Sequence, residues 1–140
     1  MHYKKIAETF IVRLEIGEEL CECLLSLAEK EGIGIAEISG IGAASSAQAG
    51  IFDAASKSYV PVETEDYMEL VSLTGNLTRK DGRPYLHVHA LLADPVSGKS
   101  LAGHLTRLVI GATAEIFVRV LPGEAGRMVC GETGLNLMDV

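Results

Sequence analysis

Tyr85-Leu86-His87-Val88-His89-Ala90-Leu91-Leu92, then Asp94-Pro95-Val96-Ser97-Gly98, then Gly103-His104-Leu105: these three runs decide how the chain is read. Alternate side chains of an extended strand point to the same face. His87 and His89 therefore project together, while Leu86, Val88 and Ala90 project the other way. The segment Asp94-Pro95-Val96-Ser97-Gly98 has the composition of a turn. A hairpin centred between Val96 and Ser97 sets His104 opposite His89, and three imidazoles then converge without any long-range assumption. Three imidazole nitrogens suit a borderline divalent metal, zinc first among them, with a fourth position open to water or a ligand. The competing reading is that strand histidines cap a polar sheet face. An H-x-H pair is common, and only the register-matched His104 favours the metal.

Outward from the hairpin the pattern stays mostly β. Residues 9–14 are rich in apolar and β-branched side chains and read as a strand that Gly17 breaks. A helix follows over 18–31. Its Leu20, Leu24, Leu27 and Ala28 fall at i, i+4, i+7 and i+8, one apolar stripe. Glu18, Glu19 and Glu22 complement its positive end, Lys30 its negative end, and Gly32 stops it.

Residues 35–39 form a short strand, after which Gly40-Ile41-Gly42-Ala43-Ala44-Ser45 imitates a dinucleotide-binding fingerprint. Ser45 stands where the third glycine belongs, and no amphipathic helix follows to cradle a phosphate. The glycines serve a tight bend or a close backbone approach. Residues 47–53 alternate as a second strand, and 58–62, which carry Pro61, suit a sheet edge. Residues 67–77 alternate imperfectly, with Leu70, Ser72 and Thr74 on one face and Glu69, Val71 and Leu73 on the other. Lys80-Asp81-Gly82 turns that strand into the histidine strand. A small-residue patch and a strong strand occupy 108–120, a loop 122–126, and a last short strand 134–138. One helix and about eight strands, with no βαβ alternation, predict an α+β fold. Its sheet is curved and mostly antiparallel, with one main helix packed against it.

Composition bounds the function. A chain of 140 residues, 48% apolar and 22% charged, is expected to form one globular domain over 1–140. A mean hydropathy of +0.26 predicts apolar surface covered by a partner, most economically a second copy. No apolar run is long enough to span a membrane, and the N-terminal residues lack a signal-peptide core, so a cytoplasmic location is expected. The net charge of −7 offers no cationic footprint for a duplex, which opposes direct nucleic-acid binding. Three cysteines fit reduced thiols better than a disulfide framework. Cys21 and Cys23 are two apart on the helix and point roughly 200° apart, so they are core or boundary residues and not a metal pair.

The motifs in order resemble a known family. Arg13-Leu14-Glu15-Ile16-Gly17-Glu18-Glu19, Ile38-Ser39-Gly40-Ile41-Gly42-Ala43, Glu69-Leu70-Val71-Ser72-Leu73-Thr74-Gly75-Asn76-Leu77, His87-Val88-His89, Ala102-Gly103-His104-Leu105 and Ala114-Glu115-Ile116 are similar to the successive motifs of the PPC (plants and prokaryotes conserved) domain. The resemblance implies a stand-alone prokaryotic type, a curved antiparallel sheet with one helix, and assembly as a homotrimer. It also implies a metal on His87, His89 and His104, since some prokaryotic members carry one on the matching histidines. In plant members the domain follows AT-hooks, and it mediates self-association and contact with transcription factors. Here Asp81-Gly82-Arg83-Pro84 puts an acid where an AT-hook has its first arginine, and it reads as a hairpin turn.

Three functions follow as expectations. The first is a homotrimeric domain with a three-histidine zinc site and a binding or regulatory role toward a small molecule or protein. The second is a metal-dependent enzyme using a zinc-bound water, with Glu115 the one available general base or, alternatively, a partner of a histidine. The third, a DNA-binding regulator as in plant relatives, is opposed by the charge and the missing AT-hook.

Overall fold

The computed structural model describes residues 1–140. Its elements in chain order are β1 (His2–Ile6), β2 (Thr9–Glu15), α1 (Leu20–Lys30), β3 (Ala36–Asp53), β4 (Ser58–Thr64), β5 (Met68–Lys80), β6 (Arg83–Asp94), β7 (Lys99–Val120), β8 (Gly126–Val129) and β9 (Asn136–Asp139). Seven strands form one antiparallel sheet in the order β1-β2-β7-β6-β5-β3-β4. β7 also pairs with β3, so the sheet curls until it meets itself. β8 and β9 make a separate hairpin. The curved antiparallel α+β arrangement is the one the sequence predicts.

The helix closes the core. Its stripe of Leu20, Leu24, Leu27 and Ala28 is buried, and the helix lies against β6 and β7. Each fully buried leucine contributes about 2 kcal/mol by removal from water. The Glu19 carboxylate accepts from the Cys21 and Glu22 N–H groups at 3.1 and 2.6 Å and from the Leu108 N–H at 2.9 Å. One side chain thus caps the helix and ties it to β7. Cys21 and Cys23 are partly buried and pack against the core, and burial pushes the Cys21 thiol up to about 12.

Several boundaries differ from the sequence reading, each for a physical reason. Residues 35–39 and 47–53 belong to a single strand, β3, and the bend is taken up as a register shift between Gly40 and Gly42. The close approach is real: a Cβ on Gly42 would lie 2.5 Å from the Thr113 carbonyl oxygen of β7. In β5 a register shift between Leu70 and Ser72 changes the phase, so Leu70 and Leu73 are both buried. Strict alternation had put them on opposite faces; one extra residue resets the pattern. β7 runs unbroken from the histidine hairpin into residues 108–120.

β1 and β8 were not expected. β1 is held by pairing with β2, and His2 faces Arg13 in that ladder. Asp81 and Gly82 have φ of +52° and +75°, and Lys80 pairs with Arg83, a two-residue hairpin turn with both central residues left-handed. Arg83 and Pro84 therefore begin β6.

Candidate metal centre

The turn at Val96 and Ser97 closes β6 onto β7 with His89 opposite His104, Ala90 opposite Gly103 and Asp94 opposite Lys99. Val88, Ala90 and Leu92 enter the core, leaving His87 half-buried and His89 exposed on the other face. One ligand nitrogen from each of His87, His89 and His104 lies within 4.8 Å of the other two. The ring centroids are separated by 5.4 Å (His87–His89), 5.1 Å (His87–His104) and 5.5 Å (His89–His104). Tyr59 of β4 lies on His104 with centroids 4.6 Å apart and planes tilted by 30°. Three imidazoles this close could hold one divalent ion between them, each giving one nitrogen.

Glycines hold the backbone for this site. Gly103 has φ of +150°, and a Cβ there would meet the Gly50 carbonyl oxygen at 2.5 Å. Gly50 of β3 pairs with His104, which pairs on its other side with His89, so His104 of β7 sits between β3 and β6. On the opposite side Gly75 of β5 pairs with Val88, between the two histidines of β6.

The chemistry of the donors fits a metal. Nδ1 of His104 is buried and has no hydrogen-bond partner, a condition that costs about 1–3 kcal/mol for a polar atom left unmatched. Burial pushes His104 down to about 4, with His87 and His89 adding to the effect. Burial also lowers His87, followed by the Arg127 guanidinium and then His89. Lowered values keep both imidazoles neutral near pH 7, and the neutral ring is the form that ligates.

The same shifts set the acid stability of the metal-free chain. Between about pH 6.5 and about pH 4 the unfolded chain binds a proton that folded His104 refuses, so stability falls as the pH falls through that window. Urea midpoints of the metal-free protein should drop from about pH 7 to about pH 5, and His104→Gln should flatten that drop. Equal slopes for parent and variant are the contrary result.

Glu115 does not join the site. It faces Ile41 across the β3–β7 ladder and lines a different cavity with Tyr67, Glu69 and Val71. The general-base role considered for it has no geometry to support it. Sequence reasoning missed Tyr59, Lys57, Tyr85 and the residues of 134–137, which surround His87 and His104. They come from the β3–β4 turn, the start of β4, the start of β6 and the C-terminal hairpin, so no local spacing signals them.

A curled antiparallel sheet with one helix and three histidines gathered on its outer face defines a small β-rich domain with a candidate trihistidine centre. The chain belongs to the Plants and Prokaryotes Conserved (PCC) domain family, whose model matches residues 1–122. Among solved structures it is similar to a metal-containing protein from Archaeoglobus fulgidus, at 35% identity and a TM-score of 0.88, covering 98% of this chain and 97% of that one. A plant- and prokaryote-conserved protein from Pyrococcus horikoshii is 31% identical with a TM-score of 0.86, over 99% of this chain and 94% of that one. A protein from Bacteroides thetaiotaomicron, described provisionally as DNA-binding, is 29% identical with a TM-score of 0.93, over 99% and 96%. No protein of curated function matches the chain in sequence.

Proposed function

We propose that this chain is a homotrimeric, cytoplasmic metal-binding domain in which His87, His89 and His104 hold one divalent ion, zinc, and that the site receives a ligand in a binding or regulatory role. The observation that carries the reading is the buried, unpartnered Nδ1 of His104 beside two further imidazoles within ligand distance. The metal-containing relative from Archaeoglobus fulgidus supports it. Three neutral imidazoles leave such an ion its two positive charges and an open position. Elemental analysis of protein purified without a metal-affinity tag tests the reading. The expected result is about one zinc per chain after dialysis at neutral pH. A chain that stays metal-free in excess zinc would sink it.

The trimer is supported by apolar side chains left in solvent on the sheet: Ile41 (59% exposed), Tyr67 (56%), Val71 (50%) and Phe117 (48%). Light scattering should give about three times the chain mass, since association covers such patches. A particle of 14.9 kDa at micromolar concentration is the contrary outcome.

No helix is long and apolar enough to cross a membrane, and the three cysteines are free; both agree with the cytoplasmic reading. The net charge of −7 supports a role without direct duplex contact. Mobility-shift titration at physiological salt should show no sequence-dependent binding; a submicromolar specific complex would reverse that conclusion.

A further inference from the structure

The space beside the histidines has a chemistry of its own. Phe52, Lys57, Tyr59 and Tyr85 line it together with His87, His104 and residues 134–137, and it encloses about 210 Å³. No aspartate or glutamate is among these residues, in a chain that carries 19 acidic side chains. Two cations bear on it. Lys57 lines the cavity directly. Arg127 stands behind it, with its guanidinium carbon 4.8 Å from the centre of the Tyr85 ring. Thr78 Oγ1 accepts from Arg127 at 2.7 Å, the Asn136 carbonyl accepts at 3.2 Å, and Asn76 Oδ1 accepts from it as well. Its positive charge is therefore held in place beside His87, which it makes harder to protonate.

Much of the remaining lining is apolar. Phe52 and Tyr59 pack edge to face at 5.5 Å, and Leu135 and Leu137 line the cavity with them. Those leucines lie beyond residue 122, outside the stretch the family model matches. The hairpin that carries them is fixed to the sheet by Arg127, which donates to Thr78 and Asn76 of β5, and by the Arg79 N–H, which donates to the Ala125 carbonyl at 2.9 Å.

We infer that this cavity binds a small organic carboxylate, its charged end at the open metal position and its short apolar or aromatic body between Tyr59, Leu135 and Leu137. The inference rests on the metal reading above. It follows from charge, wall chemistry and size together: a lining with one lysine and no acids, backed by Arg127, selects an anion, and the apolar residues select a body that inorganic anions lack. At roughly 30 Å³ per water the cavity holds the equivalent of about seven waters, which limits the ligand to about ten heavy atoms.

Calorimetric titration of zinc-loaded protein with benzoate, benzamide, acetate and inorganic phosphate tests this, with metal content measured first on every sample. The cobalt-loaded protein provides a second readout, the visible absorption of the metal. Benzoate is expected to bind at least about tenfold more tightly than benzamide, which lacks the charge, and than acetate, which lacks the body. It should also shift the cobalt spectrum. Lys57→Asn, an exchange that suits the φ of +50° at this turn, is expected to weaken benzoate by about fivefold and leave benzamide unchanged. Metal-loaded protein on which benzamide or phosphate matches benzoate, or which takes up no benzoate, overturns the carboxylate site alone. Protein that takes up no metal overturns both readings.

Discussion

His104→Ala lowers zinc affinity by at least about a hundredfold, while the metal-free variant unfolds within about 1 kcal/mol of the parent. The first half follows from coordination. Losing even an outer partner of a metal ligand costs about 10–100-fold, and here a ligand itself is removed, leaving a pair that cannot complete the set. The second half follows from the state of the imidazole. Its Nδ1 is buried without a hydrogen bond, so truncation removes an unsatisfied polar atom along with the packing against Tyr59. Competition against a chromophoric chelator measures the first effect and a urea midpoint the second. His2→Ala is the control: His2 is exposed in β1, its Nε2 3.3 Å from Glu15, and it belongs to no ligand set. Should His104→Ala hold stoichiometric zinc as firmly as the parent, His104 is only a sheet residue.

Gly75→Ala is expected to destabilise the fold by about 3 kcal/mol or more, the reverse of what replacing a strand glycine usually does. A Cβ at Gly75 would lie 2.1 Å from the His87 carbonyl oxygen and 2.6 Å from the Val88 Cα. Both obstacles are backbone, so no side-chain rotation relieves them and β5 must move away from β6. Because the displaced carbonyl is that of His87, zinc affinity should fall with stability. Gly131→Ala, where an added Cβ meets nothing within 4 Å, should be neutral or slightly stabilising. Equal urea midpoints for the two variants would show that the β5–β6 ladder tolerates the methyl group.

The histidine hairpin was legible because everything that builds it is local. A period of two puts His87 and His89 on one face, and the turn composition of residues 94–98 sets the register that brings His104 to His89. The helix was legible for the same reason, from its stripe and from the acids at its start. The bulge that brings Leu70 and Leu73 to one face was not, because it answers to the neighbouring strands and leaves no mark in residues 67–77 beyond imperfect alternation. β1 was missed because His2-Tyr3-Lys4-Lys5-Ile6 has little apolar pattern, and its order comes from pairing with β2.

By itself the sequence determined the fold class, the helix, the antiparallel hairpins and the three histidines with their common face. These are properties of periodicity, turn chemistry and spacing, which act over a few residues. The tertiary structure decided that β7 closes on β3 and where Glu115 falls. It also decided which side chains surround the histidines: Lys57 from the β3–β4 turn and Tyr59 from β4, Arg127 and residues 134–137 from the C-terminal hairpin. Those contacts join segments tens of residues apart, and which of them meet depends on how the whole sheet twists and curls.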